Sequence, residues 1–484
     1  MKKTALYILV IMASFSTGCE KYLEHAPDQR TKLNTPEKVS ELLVTAYPYG
    51  SYILLAESMS DNPSFNSTSG DDREVIREGY FWRDISSTAQ DTPTYYWNGC
   101  YDAIAAANQA LDAISKAPDP ENYTAQKGEA LVARAYAHFM LVTFYAKVYD
   151  PETAATDPGI PYVLTPESVV FKRYDRKTVA YVYEQIEKDL LEGIPLIRDN
   201  SYTVPAYHFT KKAAYAFATR FYLFKRQPEK VIEYANLAYP GNNFAANVRP
   251  WLSYAGFAGS TEIKQAFTSA SNPGNILLGE TISWASRYYP QAIYSFSQNR
   301  LNSITAPVGV SFSAYRKYSY SSTFYYVPKL YEHFVRTSIN ATTGKGYNMI
   351  PLLTTEEVLM NRAEAYIMQG NYSDALTDFN TLISTRVTNY SPGTHNLTDA
   401  KIKSYYASKT EDTKEAYTMA LLDIKRAEFI SEGMRWMDIL RHKLPVTHII
   451  DPDGHSIELG ANDNRRLWQL PAEVVLSGVA QNPR

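Results

Sequence analysis

Apolar residues recur every three or four positions along most of the chain, the period of an amphipathic helix. The clearest run is Glu356 to Ser384. There Leu359, Ala363, Tyr366 and Gly370 share one helical face, and after a break at Gly370 and Asn371 a second face carries Ala375, Phe379 and Leu382 or Ile383. Ser373 is expected to cap the second helix. Ala363, Tyr366, Ala375 and Phe379 also take the small and aromatic offsets of a tetratricopeptide unit, where small side chains let paired helices approach. A weaker copy runs from Lys211 to Tyr239, with Thr219, Tyr222, Val231 and Ala235 at the same offsets. A third helical pair is expected within Gln126 to Lys147.

Two stretches, about 58–96 and 239–355, lose this period and are rich in Gly, Ser, Asn, Pro and aromatic residues. Long irregular segments inside a compact protein tend to carry function. Near the C-terminus DPDGHSIELG reads as a short hairpin turn, in preference to a calcium loop, because it lacks the closing Glu and further oxygen ligands.

The first residues read as an export signal. Lys2 and Lys3 precede the apolar run Ala5 to Ala13, far shorter than the ~20 residues that span a bilayer. Ser16, Thr17 and Gly18 before Cys19 form a lipobox, with Ser16 where Leu is preferred, so residues 1–18 are expected to leave and Cys19 to be acylated. Acyl chains on one Cys anchor a protein without a transmembrane helix. The polar stretch 19–36 is then a tether, and 37–484 one domain. Cys100 is left as a single thiol, which forms no internal disulfide.

Charge and composition narrow the functions. With 48 basic and 51 acidic residues the formal charge is −3, so no field favours nucleic acid. Forty of the 484 residues are tyrosine, an apolar plate with a polar tip that suits both cores and wet binding surfaces. No GxSxG, HExxH or phosphate-loop motif is present, and the eight histidines are scattered. The reading is therefore no catalytic residues, no metal, no cofactor and no enzyme.

Several separated blocks resemble the SusD/RagB family of outer-membrane nutrient-binding lipoproteins. They are the lipobox Cys19, WNGCYDAIAAANQAL, ARAYAHFMLVTFYAKVY with DPGIPYVLTPES, TVAYVYEQIEKDLLEGIPLI, KAAYAFATRFYL, VLMNRAEAYIMQGNYSDAL, AEFISEGMRWMDILR and LWQLPAEVVLSGVAQNPR. Departures are Ala146 after Tyr145, Ile424 for a common acidic residue, and Ser431 for an aromatic. The resemblance implies a mostly α-helical SusD-like fold with tetratricopeptide-like pairs, irregular aromatic loops and short strands. It implies a lid on a SusC-type TonB-dependent transporter at a Gram-negative surface, binding an oligosaccharide or sometimes a peptide. The alternatives are an exported glycan-active enzyme and a repeat protein that binds only proteins.

AEFISEGMRWMDILR is the most specific signature of that resemblance, with Glu428, Glu432, Arg435, Trp436, Asp438 and Arg441 as its structural residues. Leu421, Ile424 and Glu428 share a helical stripe, so Glu428 faces the apolar side and needs a cation, for which Arg435 or Arg441 is the natural candidate. Trp436 is expected in the core. For the ligand, aromatic plates that cover the C–H face of a pyranose are sought. Trp82, Tyr95, Tyr96, Asn98, Trp284, Arg287, Tyr288 and Tyr289 are the candidates, and a further ring cluster from Tyr315 to Tyr326 could equally be a half-buried strand. In TPTYYWNGCYDAI, Trp97, Tyr101, Ile104, Asn108 and Leu111 line one helical face. Trp97 is thus the anchor, and Tyr95, Tyr96 and Asn98 are left for a ligand.

Overall fold

The computed structural model describes residues 33–167 and 172–484; Cys19 and the signal segment lie outside the described residues. In chain order the helices of about two turns or more begin with α1 Pro36–Leu43, α2 Ile53–Met59, α3 Glu74–Tyr80, α4 Pro93–Lys116 and α5 Thr124–Tyr145. They continue with α6 Val179–Gly193, α7 Lys211–Phe224, α8 Pro228–Ala238, α9 Ser260–Phe267 and α10 Gln298–Ile304. The last are α11 Thr355–Met368, α12 Tyr372–Ser384, α13 Asp399–Tyr406, α14 Thr413–Glu428 and α15 Met434–Arg441. Strands are short: β1 Ser64–Phe65, β2 Asn275–Ile282, β3 Tyr294–Ser295, β4 Tyr318–Ser319, β5 Tyr325–Tyr326, β6 Tyr331–Arg336, β7 Gly344–Thr354, β8 Val446–Ile449 and β9 Ser456–Leu459.

The helices pack in pairs, α4 with α5, α5 with α6, α7 with α8 and α11 with α12, and α11 also meets α8 and α14. Hydroxyl caps start several of them. Thr92, Thr178, Thr210 and Thr354 each accept a backbone N–H three residues on, and Asp412 does the same for α14. The pairs read from Lys211 to Tyr239 and Glu356 to Ser384 are α7–α8 and α11–α12. Two details differ. The cap of α12 is Asn371, whose side chain accepts from Asp374 N, so Ser373 is inside the helix. The stretch Gln126 to Lys147 holds one unbroken helix, not a pair. No Pro interrupts it, and every residue from Gly128 to Tyr145 is buried, so α5 is the central rod that α4 and α6 enclose.

The region 239–355 is more regular than its composition predicts. It carries α9, α10 and a three-stranded antiparallel sheet ordered β2–β7–β6, with Ile282 opposite Tyr347 and Glu332 opposite Asn348. Buried β2 residues Ile276, Leu277 and Leu278 give a continuous apolar run, which hides the two-residue period. The turn at Asp451 to Gly454 joins β8 to β9 as a hairpin.

The signature segment spans α14 and α15 and is an internal framework. Trp436 is fully buried. Glu428 does not meet Arg435 or Arg441. Its carboxylate takes two bonds from Arg386, at 2.7 and 2.9 Å, and one from the Tyr315 hydroxyl at 2.5 Å. Arg386 also reaches Glu356 at 3.0 Å, and Lys329 pairs with Glu432 at 2.6 Å. Arg435 instead forms a two-pronged pair with Asp61 at 2.8 and 2.9 Å, while Arg441 binds Glu364 at 2.6 Å and Lys425 binds Asp438 at 2.5 Å. Helical spacing restricts which face a carboxylate takes, but the partner comes from a distant segment, here the end of α12.

Candidate functional site

Backbone contacts bring two distant segments to the start of α4. Gly99 lies so close to the loop before α2 that a Cβ on it would sit 2.9 Å from Gly50 N. Gly50 in turn bridges Ile282, whose N–H donates to Tyr49 O at 2.9 Å. The segment after β2 is thereby held beside α4.

Asp91 fastens that junction. It occupies a left-handed backbone conformation, φ 68°, directly before the Thr92 cap. Its carboxylate accepts from Ser283 Oγ at 2.5 Å and from Trp284 N at 2.7 Å. Burial pushes its pKa up to about 7, against the two hydrogen bonds and the Arg73 charge, which pull it down. A carboxyl raised from its ordinary 3.8 keeps its proton in the folded state over a range where the unfolded chain has lost it. Stability from this group is therefore greatest below about pH 4 and declines as pH rises through about 7. Asp91→Asn should remove that decline: relative to the parent, the variant is expected to gain stability between pH 5 and 7.5 in urea titrations. An equal difference at both pH values would show that Asp91 does not titrate in this window.

Around this junction stand rings that keep part of their surface open. Trp284 and Tyr288 are half-buried and meet edge to face, with centroids 6.4 Å apart. The Arg73 guanidinium carbon lies 4.6 Å from the Trp284 ring and 3.3 Å from that of Tyr288. Arg287 is exposed, donates to Glu332 on β6 at 2.9 Å and lies 5.2 Å from the Phe334 ring. Tyr95 is half-buried on α4, edge to face with Tyr49 at 5.3 Å, and Asn98 is exposed one turn later. Tyr347 on β7 is also half-buried, in register with Ile282. Aromatic plates beside an arginine and polar side chains on an open face can stack on a flat apolar ligand surface and bond its hydroxyls.

Three sequence candidates are corrected. Tyr96 is 2% exposed and packs edge to face on Phe144 and Trp468. The deepest stripe of α4 is Tyr96, Cys100, Ala103, Ala107, Ala110 and Ile114, one position before the stripe read from Trp97. Because α4 is covered on a wide arc, both Tyr96 and Trp97 are interior. Trp82 is 3% exposed, donates its indole N–H to Met59 O and stacks on His448 at 4.4 Å. Tyr289 is buried against Phe296. Tyr95, Asn98, Trp284, Arg287 and Tyr288 are the candidates that reach the surface. In the third ring cluster, Tyr315 is buried on Glu428, and Tyr318 to Tyr326 form the β4–β5 hairpin.

Arg73, Asp91, Tyr49, Tyr347 and Glu332 escaped the sequence reading. Each is an ordinary residue in its own segment and gains meaning only where strands and loops from four parts of the chain converge. Two groups of carboxylates and histidine also gather elsewhere. Glu364, Asp438 and His442 are already matched by Arg441 and Lys425, and Asp451, Asp453 and His455 form the exposed β8–β9 turn.

Family comparison covers most of the chain. A SusD-like model described as starch-binding associating with outer membrane matches residues 21–223, and the model of the SusD family matches 233–471. Among solved structures, a SusD superfamily protein from Bacteroides thetaiotaomicron is 19% identical, with a TM-score of 0.64 over 93% of this chain and 100% of the other. One from Bacteroides vulgatus is 18% identical, with a TM-score of 0.65 over 93% and 99%. A SusD-like carbohydrate binding protein from Bacteroides vulgatus is 17% identical, with a TM-score of 0.63 over 92% and 97%. These likenesses concern the fold. No curated protein matches the chain.

Proposed function

The chain belongs to the SusD/RagB family, and we propose that it captures an oligosaccharide at the cell surface and delivers it to a SusC-type TonB-dependent transporter. The observation that carries this reading is the open aromatic face in which Arg73 lies against Trp284 and Tyr288, with Tyr95 and Asn98 close by. Covering ~100 Å² of apolar sugar surface yields roughly 2.5 kcal/mol. Two such plates and a few hydrogen bonds, less the cost of ordering, give millimolar to micromolar affinity. Such binding releases its ligand readily to a transporter. Both oxygens of Asp91 are engaged and the residue is 1% exposed, so its role is to position Trp284.

Calorimetry of the purified chain against glycans and peptides tests this reading. Saccharide binding is expected, with no reducing ends released in a parallel assay. Release that depends on one carboxylate would support the glycan-active enzyme instead, and binding to the transporter alone would support a protein-only adaptor.

The anchor is a separate part of the proposal. Acylation at Cys19 holds the chain on the outer membrane through a tether. Labelled palmitate should enter the wild-type chain, and Cys19→Ala should abolish the label and release the protein from the membrane fraction. Unchanged membrane association would overturn the anchor.

A further inference from the structure

The aromatic face does not end at Tyr95. Tyr95, Asn98, Asp102, Ala105 and Gln109 follow one another on α4 at intervals of three and four, and all but the half-buried Tyr95 are exposed. They form one solvent-facing stripe, about 21 Å long at 1.5 Å per residue. Tyr49 spans its first two turns. It packs on Tyr95, and the neighbouring Asp102 carboxylate, after burial, helps push the Tyr49 phenol up to about 12.

Beyond Asp102 the stripe becomes one wall of a cleft of about 370 Å³. This volume is in the range of small-molecule sites. Its aromatic lining is Trp97 and Tyr101, with centroids 4.9 Å apart, together with Tyr174. Tyr101 is fixed by its hydroxyl, which donates to Pro161 O at 2.8 Å. The Tyr174 hydroxyl is buried and has no hydrogen-bond partner among the described residues. Asp102, Gln109 and Ser477 add polar groups to the same lining.

We infer that this cleft is a second saccharide subsite, continuous along α4 with the Trp284–Tyr288 face, and that the ligand is a neutral oligosaccharide long enough to occupy both. The inference rests on the saccharide reading above and adds the ligand's length and charge. The length follows from the stripe. The charge follows from the lining, whose charged members among the described residues are the carboxylates of Asp102 and Glu167. The nearby cations are Lys172, 5.2 Å from the Tyr174 ring, and Arg176, whose guanidinium is taken up by the backbone carbonyls of Tyr145, Gly159 and Ala480. An acidic sugar would meet like charge in the cleft.

The test compares dimers and hexamers of glucose, mannose, xylose and galactose units, with a hexagalacturonate as the acidic counterpart. The variants are Ala105→Trp, which fills the cleft from an exposed position, and Asp102→Asn/Gln109→Ala, which removes polar contacts without adding bulk. For the saccharide series that binds, the wild-type chain is expected to hold the hexamer at least tenfold more tightly than the dimer. Both variants should bring hexamer affinity down towards that of the dimer, leaving the dimer and the melting temperature unchanged. Wild-type hexamer affinity in both variants would overturn the subsite, as would equal dimer and hexamer affinity in the parent. If Trp284→Ala removes binding in that case, the saccharide reading survives alone. Tighter binding of hexagalacturonate overturns the neutral ligand, and no binding of any saccharide overturns both.

Discussion

Replacing Glu428 by leucine is expected to lower the unfolding free energy by about 3–5 kcal/mol, the usual result of stranding one partner of a buried ion pair. Arg386 is fully buried, and the variant would leave it with Glu356 as its one carboxylate partner among the described residues. The Tyr315 hydroxyl and the Lys329 ammonium, which donates to Glu428 O, belong to the same cluster. Arg386→Met should cost a similar amount for the opposite reason. The double variant should cost less than the two single losses combined, because both charges leave together. The urea midpoint, at constant slope, measures each step. A shift in Glu428→Leu worth less than about 1 kcal/mol would show that the cluster relaxes into water.

The same cluster sets a pH dependence. Burial alone would raise the Glu428 carboxyl, but the Arg386 guanidinium holds it below its ordinary 4.5. A depressed carboxylate contributes stability above its unfolded pKa and loses it as pH falls through the folded one. Glu428→Leu should therefore flatten the acid side of the stability profile, where Asp91→Asn acts on the side towards neutrality.

The largest effect on binding is expected from Trp284→Ala with Tyr288→Ala. Each ring that covers a sugar face contributes up to about 2.5 kcal/mol. The single losses should therefore weaken saccharide binding about 10- to 60-fold each, at tenfold for every 1.4 kcal/mol. From micromolar or weaker starting affinity, the double variant should show no binding in calorimetry. Both rings are only half-buried, so the melting temperature should change little. The control is Trp82→Phe, which alters a buried ring bonded to Met59 and should affect stability more than affinity. Retained affinity in the double variant would move the ligand away from this face.

Helical pairing was legible wherever it depends on neighbours within a turn or two. Leu359, Ala363, Ala375 and Phe379 are all fully buried, at the positions the spacing gave them. The β8–β9 turn and the start of α4 after Thr92 follow from the same local chemistry. The site was less legible. Tyr95 and Tyr96 are adjacent and chemically identical, yet one is half-open and the other interior. The difference is set by how wide an arc of α4 is covered by α5 and by the Trp468 region, which the helix sequence does not encode.

The sequence by itself determined the helical repeat character, the family and the aromatic supply from which a binding face is built, because periodicity and short motifs are local properties. The tertiary structure alone decided which rings remain open and which cation answers Glu428. It also decided that Arg73, Asp91 and Trp284 meet. Those outcomes depend on contacts between segments tens to hundreds of residues apart, and a side chain's exposure is fixed by what lands on it.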